Sequence, residues 1–450
     1  MKLPPLLLLP TTILATQPFH TTPLTAPSLN ISKPVPTAPG LFISPSSESS
    51  SFPAIYSDTG DLLWHGPQGK IYAYQPQSLK GEPVLTFCIL NASYHEIHRV
   101  TLPRTPSDPF VTATDKSFPS YIDIHESAIT EDGTILVTAV NVTQADLSPV
   151  GGDRRGWVQD GLVYEIDIET NKVLFRWSAV EHGKELTLGY VEYPLDGKGG
   201  DRSTPYEYPH LNSVAKYMCS AFLLDKNGDI VWLLHEEHSA CPPTPLQTSA
   251  TNTMPASAHT NPGQPNEAIT LSLHNSDNTE TSTPQRPTTN MIFNLYPGNK
   301  TTALSRRGTT YPSHGTATIS RGSSVPKFEE YDAAGRLVMR GWFGAKNESS
   351  GTYSWTSYRA FRAEWIGRPT GAPDVVTCRA GEQVRVYVSW NGATDVTSWR
   401  VWGSSSSSQE IKVLDEVVKS GVDSVAVEAA GGVGDGVRSK VVGVQSCPSL

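Results

Sequence analysis

Apolar and polar positions alternate along most of this chain in short runs, and turn residues break the runs at close intervals. Four segments follow one plan. Ala54–Trp64, Tyr164–Trp177, Leu223–Trp232 and Glu330–Val338 each hold an apolar run, an Asp, a turn carrying Gly or Asn, and a second apolar run. In three of them the second run ends in Trp. Period-two alternation puts every other side chain on one face of a strand, and a Gly or Asn between two such runs supplies the positive φ of a tight turn. Each segment is therefore predicted to be a β-hairpin. Their Asp residues, Asp58, Asp167, Asp225 and Asp332, lie 109, 58 and 107 positions apart. Those gaps are about 50 or a multiple of it, and a hairpin recurring at that interval is the signature of a β-propeller blade. A propeller gathers loops around one axis, so residues distant in sequence can share a site.

The same pattern divides the chain. Residues 1–17 open with Met1-Lys2, run through Leu6–Leu9 and reach small residues near Ala15, as in a secretory signal peptide. Residues 18–51 are rich in Pro, Ser and Thr and are expected to be extended and poorly ordered. Hairpins over 52–368 predict the propeller. Within it, 238–290 turns to Ser, Thr, Pro, Asn and Gln and is expected to be disordered, although the run Ala268–Leu273 is compatible with a buried strand. A Pro/Gly boundary at Gly367–Pro373 leads into residues 372–450, where short alternating strands, Trp390 and an Asn391-Gly392 turn predict a small immunoglobulin- or fibronectin-like β-sandwich. The predicted fold class is all-β: a propeller followed by a sandwich.

Composition narrows the function. The 36 Pro and 36 Gly favour turns over long helices. A net charge of −9 argues against a nucleic-acid surface, which needs a basic face. Nowhere after the N-terminal segment do about 18 apolar residues run uninterrupted, so no membrane span is expected. Five Asn-x-Ser/Thr sequons, at Asn30, Asn91, Asn141, Asn299 and Asn347, are candidate glycosylation sites of a secreted chain. Of five cysteines, Cys378 and Cys447 bracket the C-terminal segment and are expected to form a disulfide, and the odd count leaves at least one thiol outside an intrachain pair.

Candidate chemistry rests on histidine. His235-Glu236-Glu237-His238 lacks the His-Glu-x-x-His spacing of a zinc helix, so no metal site is assigned. Phosphate-binding Gly-rich loops and the Gly-x-Ser-x-Gly elbow are absent from the sequence. His125, ahead of a hairpin turning at Asp132-Gly133, and His210, ahead of the third repeat, occupy similar places relative to their hairpins. In a propeller those places face the central channel. A structural role for each imidazole and a shared site stand as the two readings.

The His125-Glu126 pair followed by Asp132-Gly133-Thr134, the His210-x-Asn212-Ser213-Val214 run, Tyr164–Ala179, Ser357–Arg362 and Ser389–Thr394 resemble the fungal arylsulfotransferase-like family over roughly residues 40–445. The resemblance implies a propeller of about six blades, one or two of them incomplete here, with a C-terminal sandwich. It also implies transfer of a sulfuryl group between phenolic compounds without phosphoadenosine-phosphosulfate. The substrate would then be a small phenol or aryl sulfate, and no cofactor is expected. A channel histidine takes the sulfuryl group covalently in the bacterial relatives, while His, Asn and Arg hold its oxygens. By that mapping His125, His210 and Asn212 bind oxygens, Arg359 binds substrate, and His259 stands nearest to the nucleophile. Positioning and stabilisation of the equatorial oxygens should dominate such chemistry.

Two family motifs have no counterpart here. The Ser-x-Arg element expected after Val214 is missing, and His259 lacks the Gln and Arg of the family's Gln-His-Asp-Ala-Arg. Two functions therefore remain: a secreted arylsulfotransferase-like enzyme, and a catalytically impaired propeller that binds an extracellular ligand or glycan. A quinoprotein-like propeller is a third, with no assignable cofactor residues. Oligomeric state is left open.

Overall fold

The computed structural model describes residues 16–18, 25–32, 40–69, 71, 74–86, 88–103, 120–188, 195–208, 211, 220–224, 227–235, 269–275, 289–296, 301–308, 317–320, 326–331, 336–350, 352–405, 412–414 and 421–447. The chain is all-β. Its helical elements among these residues are two short 3₁₀ turns, Ser148–Val150 and Val180–His182.

All four predicted hairpins form. They pair Ala54–Tyr56 with Leu62–His65, Gly156–Asp167 with Val173–Ser178, Ser220–Leu224 with Ile230–His235, and Lys327–Tyr331 with Leu337–Trp342. Each register shifts just ahead of the repeat Asp: at Glu165/Ile166, Leu223/Leu224 and Glu330/Tyr331 directly before it, and at Ile55/Tyr56 one residue further from Asp58. The turn residues Gly60, Asn171 and Gly228 have φ of 97°, 55° and 91°, the left-handed region that Gly and Asn tolerate best. Consecutive hairpins interlock there. The Trp177 indole donates to the Gly228 carbonyl at 3.1 Å, and a Cβ on Gly228 would press on Phe175 and Trp177.

Four antiparallel sheets follow one another. The first runs Ala317–Ser320, Lys327–Tyr331, Leu337–Trp342, Asn30–Ser32, and the second runs Ala360–Ala363, Gly40–Ile43, Ala54–Tyr56, Leu62–His65. The third runs Gln75–Leu79, Glu82–Thr86, Ile89–Leu90, Glu96–His98, and the fourth runs Ser127–Ile129, Thr134–Ala145, Gly156–Asp167, Val173–Ser178. Their leading strands touch in series: Ala317–Ser320 with Ala360–Ala363, that strand with Gln75–Leu79, and Gln75–Leu79 with Ser127–Ile129.

Alternation explains the stacking. In Gly40–Ile43, Leu41 and Ile43 point into a core shared with Phe328, Met339 and Phe343 of the first sheet. Phe42 points the other way, into a core with Tyr74, Leu85 and Leu90 of the third sheet. Leu79, Val84 and Ile89 then pack against Ile135, Leu162 and Ile166 of the fourth. Both faces of Gly40–Ile43 are thus apolar, as a strand between two packed cores requires.

Two expectations are corrected. Residues 18–51 are not simply a poorly ordered leader, because Asn30–Ser32 and Gly40–Ile43 are strands of the first two sheets and Leu41, Phe42 and Ile43 are core residues. Pro- and Thr-rich neighbours hide this apolar run, and one of its two strand partners lies more than 300 positions downstream. The expected disorder over 238–290 does not hold for Ile269–Asn275, which pairs along its length with Thr289–Tyr296. Residues 236–268 and 276–288 lie outside the described residues, as do 1–15 of the expected signal segment.

Beyond Gly367 two more sheets form: Gln383–Ser389, Asp374–Ala380, Gln445–Ser446, and Lys412–Leu414, Ser398–Ser404, Ser424–Ala430, Val442–Gly443. Val384 and Val425 lie between them, with Val386, Val401, Val422 and Val444 packed around. Cys378 and Cys447 are joined by a disulfide, and Cys88 is a free thiol among the described residues. This unit docks through the Asn391-Gly392 turn. Asn391 Oδ1 accepts from the His65 N–H at 2.9 Å and its Nδ2 donates to the His65 carbonyl at 3.0 Å, so the side-chain amide completes the exposed edge of Leu62–His65. Tyr94, stacked on Trp64, donates to the Gly392 carbonyl at 2.8 Å.

Two outcomes are expected from this architecture. The Cys378–Cys447 bridge closes a loop of 69 residues, worth about 4 kcal/mol in the chain-entropy description. Cys378→Ser should lower the thermal midpoint markedly, and peptide mapping without reductant should recover the two cysteines in one linked fragment rather than as free thiols. The second outcome concerns Asp160. It accepts from the Ser178 hydroxyl at 2.6 Å and the Val180 N–H at 3.1 Å, but burial pushes its carboxyl up to about 6 against these bonds. Its folded pKa exceeds the unfolded one, so its contribution to stability falls as pH rises from about 4 to 6, by about 2–3 kcal/mol. Asp160→Asn removes that titration. The stability advantage of the variant over the parent should therefore grow across this window in urea melts; a pH-independent difference would contradict the assignment.

Candidate functional site

Two segments far apart in sequence meet at the heads of the second and fourth sheets. Residues 121–126 lead into the strand Ser127–Ile129, and Ser357–Arg359 leads into Ala360–Ala363. The strand Gln75–Leu79 lies between these two and ties one side in place. Gln75 and Gln77 each donate through Nε2 to the Ser127 carbonyl at 2.7 Å, and Gln77 Oε1 accepts from the Ile129 N–H at 2.7 Å. The hairpin that fixes the His125 segment turns at Gly133, φ 77°. There the Thr130 hydroxyl shares a 2.7 Å hydrogen bond with that of Thr134.

His125 sits in a partly buried polar cluster. Its Nδ1 pairs with Asp123 Oδ2, which also accepts from the His125 N–H at 3.3 Å and the Thr138 hydroxyl at 3.4 Å. The Asp123 N–H donates to the Thr138 carbonyl at 2.7 Å, so the carboxylate is anchored at its own backbone. The edge of one ring meets the face of the other where His125 approaches Tyr358, with centroids 5.8 Å apart and planes at 76°.

Arg359 closes the cluster from the other segment. Its side chain is 1% exposed and that of Glu126 is 12% exposed. One guanidinium nitrogen donates to the His125 carbonyl at 2.5 Å, and another approaches Glu126 Oε1 at 3.4 Å. Glu126 Oε1 also accepts from the Ser127 N–H at 3.0 Å. The guanidinium carbon lies 5.5 Å from the Tyr358 ring centre. Burial pushes the Tyr358 hydroxyl up to about 12; Arg359 pulls it down while Asp123 and Glu126 raise it. Tyr358 is therefore a neutral phenol near pH 7. Upstream, the Ser357 hydroxyl accepts from the Ser44 N–H at 3.2 Å and donates to the Arg359 carbonyl at 2.8 Å, fixing the start of the strand.

Of the residues expected to form the site, His125 and Arg359 are brought together. His210, Asn212 and His259 lie outside the described residues. Asp123, Glu126 and Tyr358 were not singled out from the sequence, although an Asp two positions before a histidine was a legible signal. Among the described residues no group of three or more His, Cys, Asp or Glu side chains has metal-binding geometry, and no helix is long and apolar enough to cross a membrane. The sequons differ in setting. Asn347 is exposed in a turn and Asn30 and Asn91 are partly exposed, whereas Asn141 is buried in mid-strand, 6% exposed. Asn299 lies outside the described residues.

Residues 75–344, more than half of the chain, match the family model described as Arylsulfotransferase (ASST). His125 falls inside that span and Arg359 beyond it. No curated protein matches the chain.

Removing one member of the Arg359–Glu126 pair should be costly, because the other charge stays buried. Arg359→Ala is expected to destabilise by about 3–5 kcal/mol. Adding Glu126→Gln to it should recover part of that loss, measured by chemical denaturation. Additive losses in the double variant would show the two side chains to be uncoupled.

Proposed function

This chain belongs to the arylsulfotransferase (ASST) family, and on that premise we propose that it transfers a sulfuryl group from an aryl sulfate to a phenol at the cluster containing His125. The observation that carries this reading is the meeting of His125 with the buried Arg359 from segments more than 230 positions apart. An imidazole held at Nδ1 by a carboxylate is equipped to engage a sulfuryl group through Nε2. Arg359 acts by fixing the carbonyl of His125 and balancing Glu126, so the two carboxylates near the site are each paired and an anionic ester is not repelled. His210, Asn212 and His259 are proposed to complete the oxygen-binding and sulfuryl-accepting set.

The propeller belongs to the same proposal. Serial contact of four leading strands, together with sheets completed by strands from far upstream, supports a ring in which His125 and Arg359 sit at the channel. The two C-terminal sheets with their valine core support an immunoglobulin-like sandwich, and the signal-like N-terminus supports secretion. A second reading, a catalytically impaired propeller that binds an extracellular ligand, is favoured by the missing Ser-x-Arg and Gln-His-Asp-Ala-Arg motifs.

Purified protein given a chromogenic aryl sulfate and a phenolic acceptor decides between them. Transfer should occur and should require the acceptor. His125→Ala should lower kcat by at least about 10²-fold, as loss of a group acting directly on the reacting centre does, with little change in thermal midpoint. Binding of aryl sulfate with no transfer across a range of phenols would establish the second reading.

A further inference from the structure

We propose that Asn30 carries an N-linked glycan whose first sugar lies on the exposed indole of Trp342. This goes beyond the transferase reading and rests only on the secretion proposed with it. Asn30-Ile31-Ser32 is a sequon, and the same three residues form the strand at one edge of the first sheet. That strand pairs antiparallel with Leu337–Trp342, and the register sets Asn30 directly opposite Trp342 and Ser32 opposite Arg340. Directly opposed residues share a face of the sheet, with Cβ atoms about 4.5–5.5 Å apart. The acceptor amide of the sequon and the tryptophan are thus immediate neighbours, although more than 300 positions separate them.

Their shared face is the outward one. Ile31 packs on the core that holds Phe328 and Met339, so Asn30 and Ser32 on either side of it point away from that core. Trp342 is 44% exposed, and it is the one tryptophan among the exposed large apolar side chains of the described residues. On its other side stands Lys327. Lys327 and Arg340 both pair with Glu329, at 3.5 and 2.7 Å. The indole is therefore bordered by paired polar groups on one side and by Asn30 on the other. Among the described sequons Asn141 is buried and faces Asp160 across its strand pair. Asn91 and Asn347 lie in turns, where Oδ1 of each accepts from the N–H two residues on at 3.0 Å.

An exposed indole and a sheet edge each invite association with another chain. A glycan at Asn30 covers both. N-acetylglucosamine presents C–H groups on one face of its ring, and their partial positive charge suits the negative face of an aromatic ring. Laying the sugar there also removes apolar area from water. The modification needs one co-reactant, a lipid-pyrophosphate-linked oligosaccharide of the secretory compartment. Asn30 Nδ2 forms a bond to C1 of the first sugar as the bond from C1 to the pyrophosphate oxygen breaks. The pyrophosphate leaves with that electron pair, and Nδ2 gives up one proton to the glycosylating enzyme. Transfer to the nascent chain precedes synthesis of Leu337–Trp342, so the strand pairing does not block it. The sugar meets the indole when the sheet closes.

The test uses the full chain secreted from a eukaryotic host, mapped by mass after peptide-N-glycosidase, which converts an occupied Asn to Asp. Asn30 should be occupied. Ser32→Ala removes the sequon and keeps the asparagine, while Asn30→Gln removes the acceptor itself. In either variant hydroxyl radicals should oxidise Trp342 faster than in the glycosylated parent, and the thermal midpoint should fall by about 1–3 °C. In a Trp342→Ala background the same two changes should leave the midpoint unmoved, because the sugar has lost its platform. A bare Asn30 beside an occupied Asn91 or Asn347 would overturn the proposal alone. Sugar at no sequon would overturn it together with the secretion reading. An occupied Asn30 with Trp342 oxidised equally in Ser32→Ala and parent would also sink it. Protection of Trp342 that persists without the sugar and weakens on dilution would replace the glycan by a second copy of this chain.

Discussion

The pairing of Gly40–Ile43 with Ala360–Ala363 is the constraint on which the site depends. Four residues from early in the chain sit between a late strand and the hairpin Ala54–His65, and they fill two cores at once. Without them Ala360–Ala363 has no partner in its sheet, and the segment just before it that carries Tyr358 and Arg359 loses its anchor on that side. The Ser44 N–H to the Ser357 hydroxyl extends the same seam by one more bond, inside the protein, where each satisfied polar group avoids a desolvation cost of about 1–3 kcal/mol. Long-range strand pairing and site geometry are thus one event in this fold.

Polar groups within the cluster are organised by mutual neutralisation. Asp123 is matched by the His125 ring and Glu126 by Arg359, while burial keeps Tyr358 protonated. A buried carboxylate without a partner would disfavour both folding and the approach of an anionic ester. The pairing also gives each side chain one orientation, which is what a reaction governed by positioning requires. The Asn391 side chain plays a comparable part at the edge strand Leu62–His65, where it stands in for the backbone of a further strand.

Local chemistry was legible in the sequence and long-range partnership was not. The four hairpins could be read because their signal, an Asp followed by Gly or Asn between apolar runs, lies within about a dozen residues. The cysteine pair could be read because few cysteines were available to choose from. His125 could be read from its place ahead of a hairpin. Gly40–Ile43 could not, because its own neighbours are Pro and Thr and, besides the hairpin Ala54–His65, its partners include a strand and core residues from beyond residue 320. Glu126 and Tyr358 lie in motifs the sequence showed, but their roles were hidden for the same reason. Each is an ordinary residue in its local run and gains its role from a segment more than 230 positions away.

The closure by Gly40–Ile43 also fixes an order of events during biosynthesis. When this strand emerges from the ribosome its later neighbour does not yet exist, and at about 5–20 residues per second some tens of seconds pass before Ala360–Ala363 is made. Throughout that interval an apolar segment with an unpaired edge must wait, open to pairing with another nascent chain. Contacts of such sequence separation also place the final step late and make it slow. A truncated product ending before residue 360 would therefore carry a permanently open seam. The arrangement that unites Arg359 with His125 makes the protein dependent, while it is being synthesised, on whatever shields exposed strands in its compartment.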